Sequence, residues 1–138
     1  MADEINAAGG EAIAIATDVS QSEQVAAMVA QVVARFDRLD IAFNNAGIEI
    51  EHEPLAKTSE AFFDRLMAVN VKGVWLCMKY EIEQMLRQGQ GGAIVNTASV
   101  GGLIAAPRQP IYGATKHAVL GMTKSAGVEY GRKGIRVN

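Results

Sequence analysis

Short apolar runs alternate along this chain with longer stretches whose apolar residues recur every three or four positions. Residues 12–17 (AIAIAT), 39–43 (LDIAF) and 93–97 (AIVNT) are brief, contain β-branched side chains and are followed by turn-forming or small residues. Each therefore predicts a strand. Residues 135–138 (IRVN) begin a fourth. Near-continuous apolarity, without strict alternation, is the pattern of strands covered on both faces.

Helical patterns separate these runs. Ser20-Gln21-Ser22-Glu23 has the spacing of a capping box, in which a hydroxyl and a carboxylate satisfy orphan amides at a helix start. Val25, Met28, Val29, Val32, Val33 and Phe36 then fall on one face of a helix. A longer helix is expected over about 59–87, after Pro54 and before Gly89, with Phe62, Phe63, Leu66, Met67, Val71, Val74, Trp75 and Met78 apolar. A last helix is expected over about 110–131, where frequent Ala, Gly and Ser allow close packing on the sheet or on a second subunit. Strands alternating with helices predict an α/β fold with a parallel sheet, as one domain over 1–138.

Composition narrows the function classes. The 13 Lys and Arg against 15 Asp and Glu give a net charge of −2, so nothing electrostatic points to nucleic acid. At 49% hydrophobic residues the chain can build a core. No apolar stretch is long enough to span a bilayer, and the first ten residues lack a signal-peptide pattern. A soluble cytoplasmic protein is the expectation. The single cysteine, Cys77, excludes an internal disulfide and reads as a core residue. With His52 and His117 as the other soft ligands, no zinc-site spacing arises, and no metal is expected.

In doubly wound sheets ligands bind beyond the carboxyl ends of the strands. Those ends read Thr17-Asp18-Val19, Asn44-Asn45-Ala46-Gly47 and Thr97-Ala98-Ser99, all small or polar. Tyr112 and Lys116 stand four apart on the last helix, hence on one face and one turn from each other. A nearby ammonium favours a phenolate, which suits a general acid/base. Ser99 lies upstream at a strand end, where its hydroxyl can reach a carbonyl oxygen beside that phenol. A serine hydrolase would need glycine two residues before Ser99, where Thr97 stands. Gly89-Gln90-Gly91-Gly92 follows a helix and precedes a strand, the reverse of a phosphate-binding loop.

Asp18-Val19, Asn44-Asn45-Ala46-Gly47, Asn70 in Val69-Asn70-Val71-Lys72-Gly73, Ser99, and Tyr112 with Lys116 follow one another in the order and spacing of a known family. The chain resembles the short-chain dehydrogenases/reductases over essentially all of its 138 residues. The resemblance implies a Rossmann-like doubly wound parallel sheet with flanking helices, and hydride transfer between a secondary alcohol and a ketone with NAD or NADP. It makes Tyr112 the proton donor and acceptor, and Ser99 the residue that orients the substrate carbonyl. Lys116 would hold nicotinamide ribose hydroxyls and favour the Tyr112 phenolate, and Asn70 would hold a water in the proton relay. Asp18 would hydrogen-bond the adenine with Val19 against its ring, while Asn45, Ala46 and Gly47 would pass the adenosine ribose. A homodimer or homotetramer through the 110–131 helix is implied as well.

The family's opening strand and glycine-rich turn have no counterpart in these residues, nor do its closing substrate-covering helices. The sheet is therefore expected to be incomplete, with three or four strands of the usual seven and a gap beside the 12–17 run. The strand that selects NAD or NADP is not among them, so the choice is not readable. Two function classes stay open at this level: an oxidoreductase, or a catalytically inactive fragment that keeps the core and the oligomerising helix.

Overall fold

The computed structural model describes residues 1–49 and 52–138. Three parallel strands form its sheet: β1 (Ile41–Asn44), β2 (Gly92–Asn96) and β3 (Ile135–Val137), in the order β1-β2-β3. Ala42 pairs with Ile94 and Asn44 with Asn96, while Ile94 pairs with Val137. Five α-helices accompany the sheet: α1 (Ala2–Ala7), α2 (Ser22–Phe36), α3 (Glu60–Met67), α4 (Val74–Gln88) and α5 (Pro110–Tyr130).

Side chains alternate across a strand, and here the alternation divides buried from open. Ala42, Asn44, Ile94, Asn96, Ile135 and Val137 face inward, where α4 and α5 supply Val74, Met78, Ile82, Met85, Val119 and Ala126. The opposite face carries Ile41, Phe43 and Val95, all exposed among the described residues. A second apolar cluster joins Val25 of α2 to Leu76 and Cys77 of α4, with Val19 packed against it. Gly73 makes that contact possible, because a methyl there would lie 2.8 Å from Val19 Cγ2.

The helix expected over about 59–87 is interrupted. Ser59 caps α3 by accepting from Phe62 N, but Ala68–Gly73 is π-helical before α4 begins. An inserted residue of this kind re-aims a side chain inside an otherwise continuous helix, and here the π segment contains Asn70. Gly89 ends α4 in the left-handed conformation (φ 70°), as its position suggested. Pro110 opens α5, where its missing N–H costs nothing.

Two local expectations are corrected. Residues 12–17 form no strand: a strand exists through its ladder, and no described residue pairs with them. Ala12 instead satisfies its backbone on the Asn6 side chain, donating to Oδ1 at 2.8 Å and accepting from Nδ2 at 3.1 Å. The sheet accordingly has three described strands. The capping box does not form either. Ser20 turns its amide and hydroxyl to Asp18 Oδ1 (2.9 and 2.8 Å), and α2 starts at Ser22 with no side-chain cap.

Candidate active site

The C-terminal ends of β1 and β2 lie side by side because their register pairs Asn44 with Asn96. The next residues along, Asn45 and Thr97, are bridged by a bond from Thr97 Oγ1 to Asn45 Oδ1 at 2.9 Å. The chain then turns away on both sides, and α5 brings its first turns over the resulting rim.

Ser99 caps the short 3₁₀ turn Val100–Gly102, its Oγ accepting from Gly101 N at 3.1 Å. That bond uses a lone pair and leaves the hydroxyl proton free to donate. A methyl on Gly101 would lie 3.5 Å from Tyr112 Cε1 and 3.6 Å from Ser99 Oγ. Both side chains therefore border this glycine.

Lys116 is 7% exposed, and its ammonium stands 5.7 Å from the centre of the Tyr112 ring. Nζ donates to Thr97 O at 2.9 Å, which occupies one of its three N–H groups. Burial lowers the Lys116 pKa from its ordinary range. No described carboxylate forms an ion pair with it.

Asn70, 1% exposed, uses both ends of its amide on one loop residue. Its Oδ1 accepts from Ile48 N and its Nδ2 donates to Ile48 O, each at 2.8 Å. Nδ2 also reaches Thr115 Oγ1 at 3.3 Å, and that hydroxyl donates to Tyr112 O at 2.7 Å. A methyl on Gly47 would fall 3.4 Å from Asn70 Oδ1 and 3.7 Å from Lys116 Nζ. Asn70 Oδ1 and Lys116 Nζ thus both approach Gly47, with Thr115 tying Asn70 to the helix that carries Tyr112. Thr115, fully buried, is a site residue the sequence reading missed; its place three residues after Tyr112 was the available signal.

On the far side of the rim a cleft of about 300 Å³ is lined by Val19, Asn45, Ala46, Gly73 and the edge of β1, among others. Asp18 stands beside it. Its carboxyl is held below the usual carboxylate range by the hydrogen bonds from Ser20, with Lys72 adding a smaller effect. Cys77 at the cleft is pushed up to about 12 by burial and then by Glu81, so it is an inert core thiol. Among the described residues no His, Cys, Asp and Glu cluster could hold a metal.

Replacing Asn70 by Ala should cost on the order of 2–3 kcal/mol of folding stability, because Ile48 N and O both lose their partner. Urea denaturation checks this, and an unchanged midpoint would contradict it.

A hydroxyl, a phenol and a buried ammonium gathered near the strand ends are groups that a dehydrogenase/reductase type of site uses. The comparisons agree: the family model described as Enoyl-(Acyl carrier protein) reductase matches residues 1–138. A 2,5-dichloro-2,5-cyclohexadiene-1,4-diol dehydrogenase of Sphingobium indicum is 48% identical over 134 residues, covering 97% of this chain and 54% of that protein. The crystal structure of a short-chain type dehydrogenase/reductase from Mycobacterium marinum superposes with a TM-score of 0.93 at 39% identity, covering 99% of this chain and 54% of the other. ElxO with NADP bound gives a TM-score of 0.84 at 42% identity, covering 88% and 48%. The chain belongs to the short-chain dehydrogenase/reductase family. It spans about half the length of the relatives it matches.

Proposed function

We propose that these residues are the catalytic half of a NAD(P)-dependent oxidoreductase that interconverts a secondary alcohol and a ketone. The observation that carries this reading is that Ser99 and Tyr112 both border Gly101, with the Lys116 ammonium 5.7 Å from the Tyr112 ring. A bound nicotinamide would supply or take up the hydride. Tyr112 would move the proton at the substrate oxygen, and Ser99, its own lone pair engaged by Gly101 N, would donate a hydrogen bond to that oxygen. Lys116 has two N–H groups beyond the one on Thr97 O for ribose hydroxyls. Its charge favours a phenolate on Tyr112 during transfer. Asn70, whose Oδ1 approaches Gly47 as Lys116 Nζ does, would hold a relay water.

Val19, Asn45 and Ala46, which line one side of the cleft, would take the adenosine end, with Asp18 at the adenine edge and Gly47 passing the ribose. That NADP is bound in ElxO supports a nicotinamide dinucleotide here, and paired kcat/KM values for NAD and NADP decide between the two. The setting this reading expects is the cytoplasm; no described helix is long and apolar enough to cross a membrane. Its test uses a protein carrying these residues within a chain of its relatives' length, called the extended protein below. Such a protein should oxidise NADH or NADPH in the presence of a ketone, and absence of ketone-dependent oxidation with either would contradict the reading.

A second reading, a core without turnover, is consistent with the open sheet face bearing Ile41, Phe43 and Val95. Parallel sheets are normally covered on both faces. NADPH oxidation by the 138-residue chain itself separates the two.

We further propose association through α5 as a homodimer or homotetramer. His117, Gly121, Lys124, Ser125 and Val128 are exposed along one side of α5, with Leu120 half-buried among them. A two-fold contact uses such a patch twice, so a modest stripe suffices. Leu120→Glu would bring two like charges into that contact and should yield monomers by light scattering. An unchanged assembly would count against this interface.

A further inference from the structure

Glu81 has no part in the chemistry described so far, yet it is a carboxyl only 4% exposed, on the sheet-facing side of α4. Asn44 Nδ2 donates to its Oε2 at 3.0 Å and to Asn96 Oδ1 at 2.9 Å. Asn96 Nδ2 in turn donates to Thr123 Oγ1 at 3.0 Å and lies 3.1 Å from Met78 Sδ. One buried chain of polar side chains therefore runs from α4, through the last residues of β1 and β2, to α5.

Its position matters more than its length. Asn44 immediately precedes Asn45, Ala46 and Gly47, and Asn96 immediately precedes Thr97, whose carbonyl holds Lys116. Asn44 O also accepts from Thr97 N at 2.9 Å. The two strand ends that present the rim are thus locked from behind by one network, and Glu81 is its terminal acceptor. Ionised or protonated, the Glu81 carboxyl keeps an oxygen that accepts from Asn44 Nδ2, which fixes the orientation of the Asn44 amide and, through it, that of Asn96. An apolar residue at 81 would leave Asn44 with a buried, half-satisfied amide free to turn over.

We propose that Glu81 is a positioning residue that sets the register of the Asn45–Gly47 loop and of the Thr97 carbonyl under Lys116. The inference deepens the nucleotide reading above and rests on it for its functional meaning. The groups that face Glu81 make its own charge legible. β1, β2 and α5 present Asn44, Asn96 and Thr123, none of them charged. Cys77 is the other titratable side chain lining the adjoining cleft, and its thiol is held near 12. Burial raises Glu81 itself to about 7, the bond from Asn44 opposing this only in part.

The experiment is heteronuclear NMR on the 138-residue chain across pH 5.5–8.5, as wild type, Glu81→Gln and Glu81→Leu. In the wild type, the side-chain amides of Asn44 and Asn96 and the backbone amide of Thr97 should shift together with a midpoint near 7. In Glu81→Gln those signals should stay dispersed but lose the titration, since an amide oxygen still accepts. In Glu81→Leu the Thr97 amide should exchange with solvent at least about tenfold faster, as the lock behind it opens. A wild type whose amides ignore pH, a titration that persists in Glu81→Gln, or Thr97 protection unchanged in a folded Glu81→Leu would each overturn the assignment. Where Glu81→Leu fails to fold, the Gln comparison decides alone. A parallel NADPH titration of the extended protein keeps the two readings apart. Its failure in the wild type would overturn nucleotide binding only, because the amide signals report on Glu81 without ligand.

Discussion

Tyr112→Phe in the extended protein should lose about 10³-fold in turnover while nucleotide binding stays at the wild-type level. The substitution removes one oxygen and leaves the ring, so the packing against Gly101 and the contact with Lys116 survive. What disappears is the phenol hydroxyl, carried on a ring that borders Gly101 one helical turn from the buried ammonium. Ser99 cannot substitute for it, because an aliphatic hydroxyl has no accessible anionic state at working pH. Steady-state kinetics together with a fluorescence titration of NADPH check the two halves of the expectation. A variant with wild-type turnover would remove Tyr112 from the chemistry. One that loses nucleotide binding would make it structural.

The second large effect is on folding. Stability of the 138-residue chain should fall by about 2 kcal/mol between pH 5.5 and pH 7.5, and Glu81→Gln should flatten the curve. Glu81 in the folded chain keeps its proton up to about 7, against an ordinary value of 4.5 once unfolded. Between those values the folded state binds more protons than the unfolded one, so stability declines as pH rises. Asp18 is shifted the other way, its folded value lying below 3.8, and therefore acts only at more acidic pH. Cys77 acts only above pH 9, where the unfolded thiol ionises and the folded one does not. Urea denaturation at pH 5.5 and 7.5 measures the difference. A flat wild-type profile, or the same decline in Glu81→Gln, would contradict it.

The strands at β1, β2 and β3 and the last helix were legible because each is a run of apolar residues or a sustained period bounded by Gly or Pro. The proximity of Ser99 and Lys116 to Tyr112 was legible because chemistry and spacing coincide: one turn of helix, and one strand end facing it. Residues 12–17 misled, because their Ile-Ala alternation records a propensity while a strand needs a neighbour. Ser20 misled for a related reason, since Asp18 two residues away competed for its hydroxyl. The π segment was hidden, as inserting one residue into a helix shifts the apolar period by less than the width of its stripe. Without that segment the grip of Asn70 on Ile48 could not be read, because it depends on how a loop lies across a helix. Glu81 did leave a mark: an acid three and four residues from the buried Met78 and Cys77, at a position the helical period assigns to the core.

The central claim is that Asn70, Ser99, Tyr112 and Lys116 face one nicotinamide ribose and one substrate oxygen. A crystal structure of the extended protein with NADP and a ketone tests it most directly. The account predicts ribose hydroxyls on Lys116 Nζ, the ketone oxygen within hydrogen-bond reach of both Tyr112 Oη and Ser99 Oγ, and a water between Asn70 and Lys116. A nicotinamide bound away from Lys116, or a ketone oxygen beyond the reach of Tyr112, would contradict it.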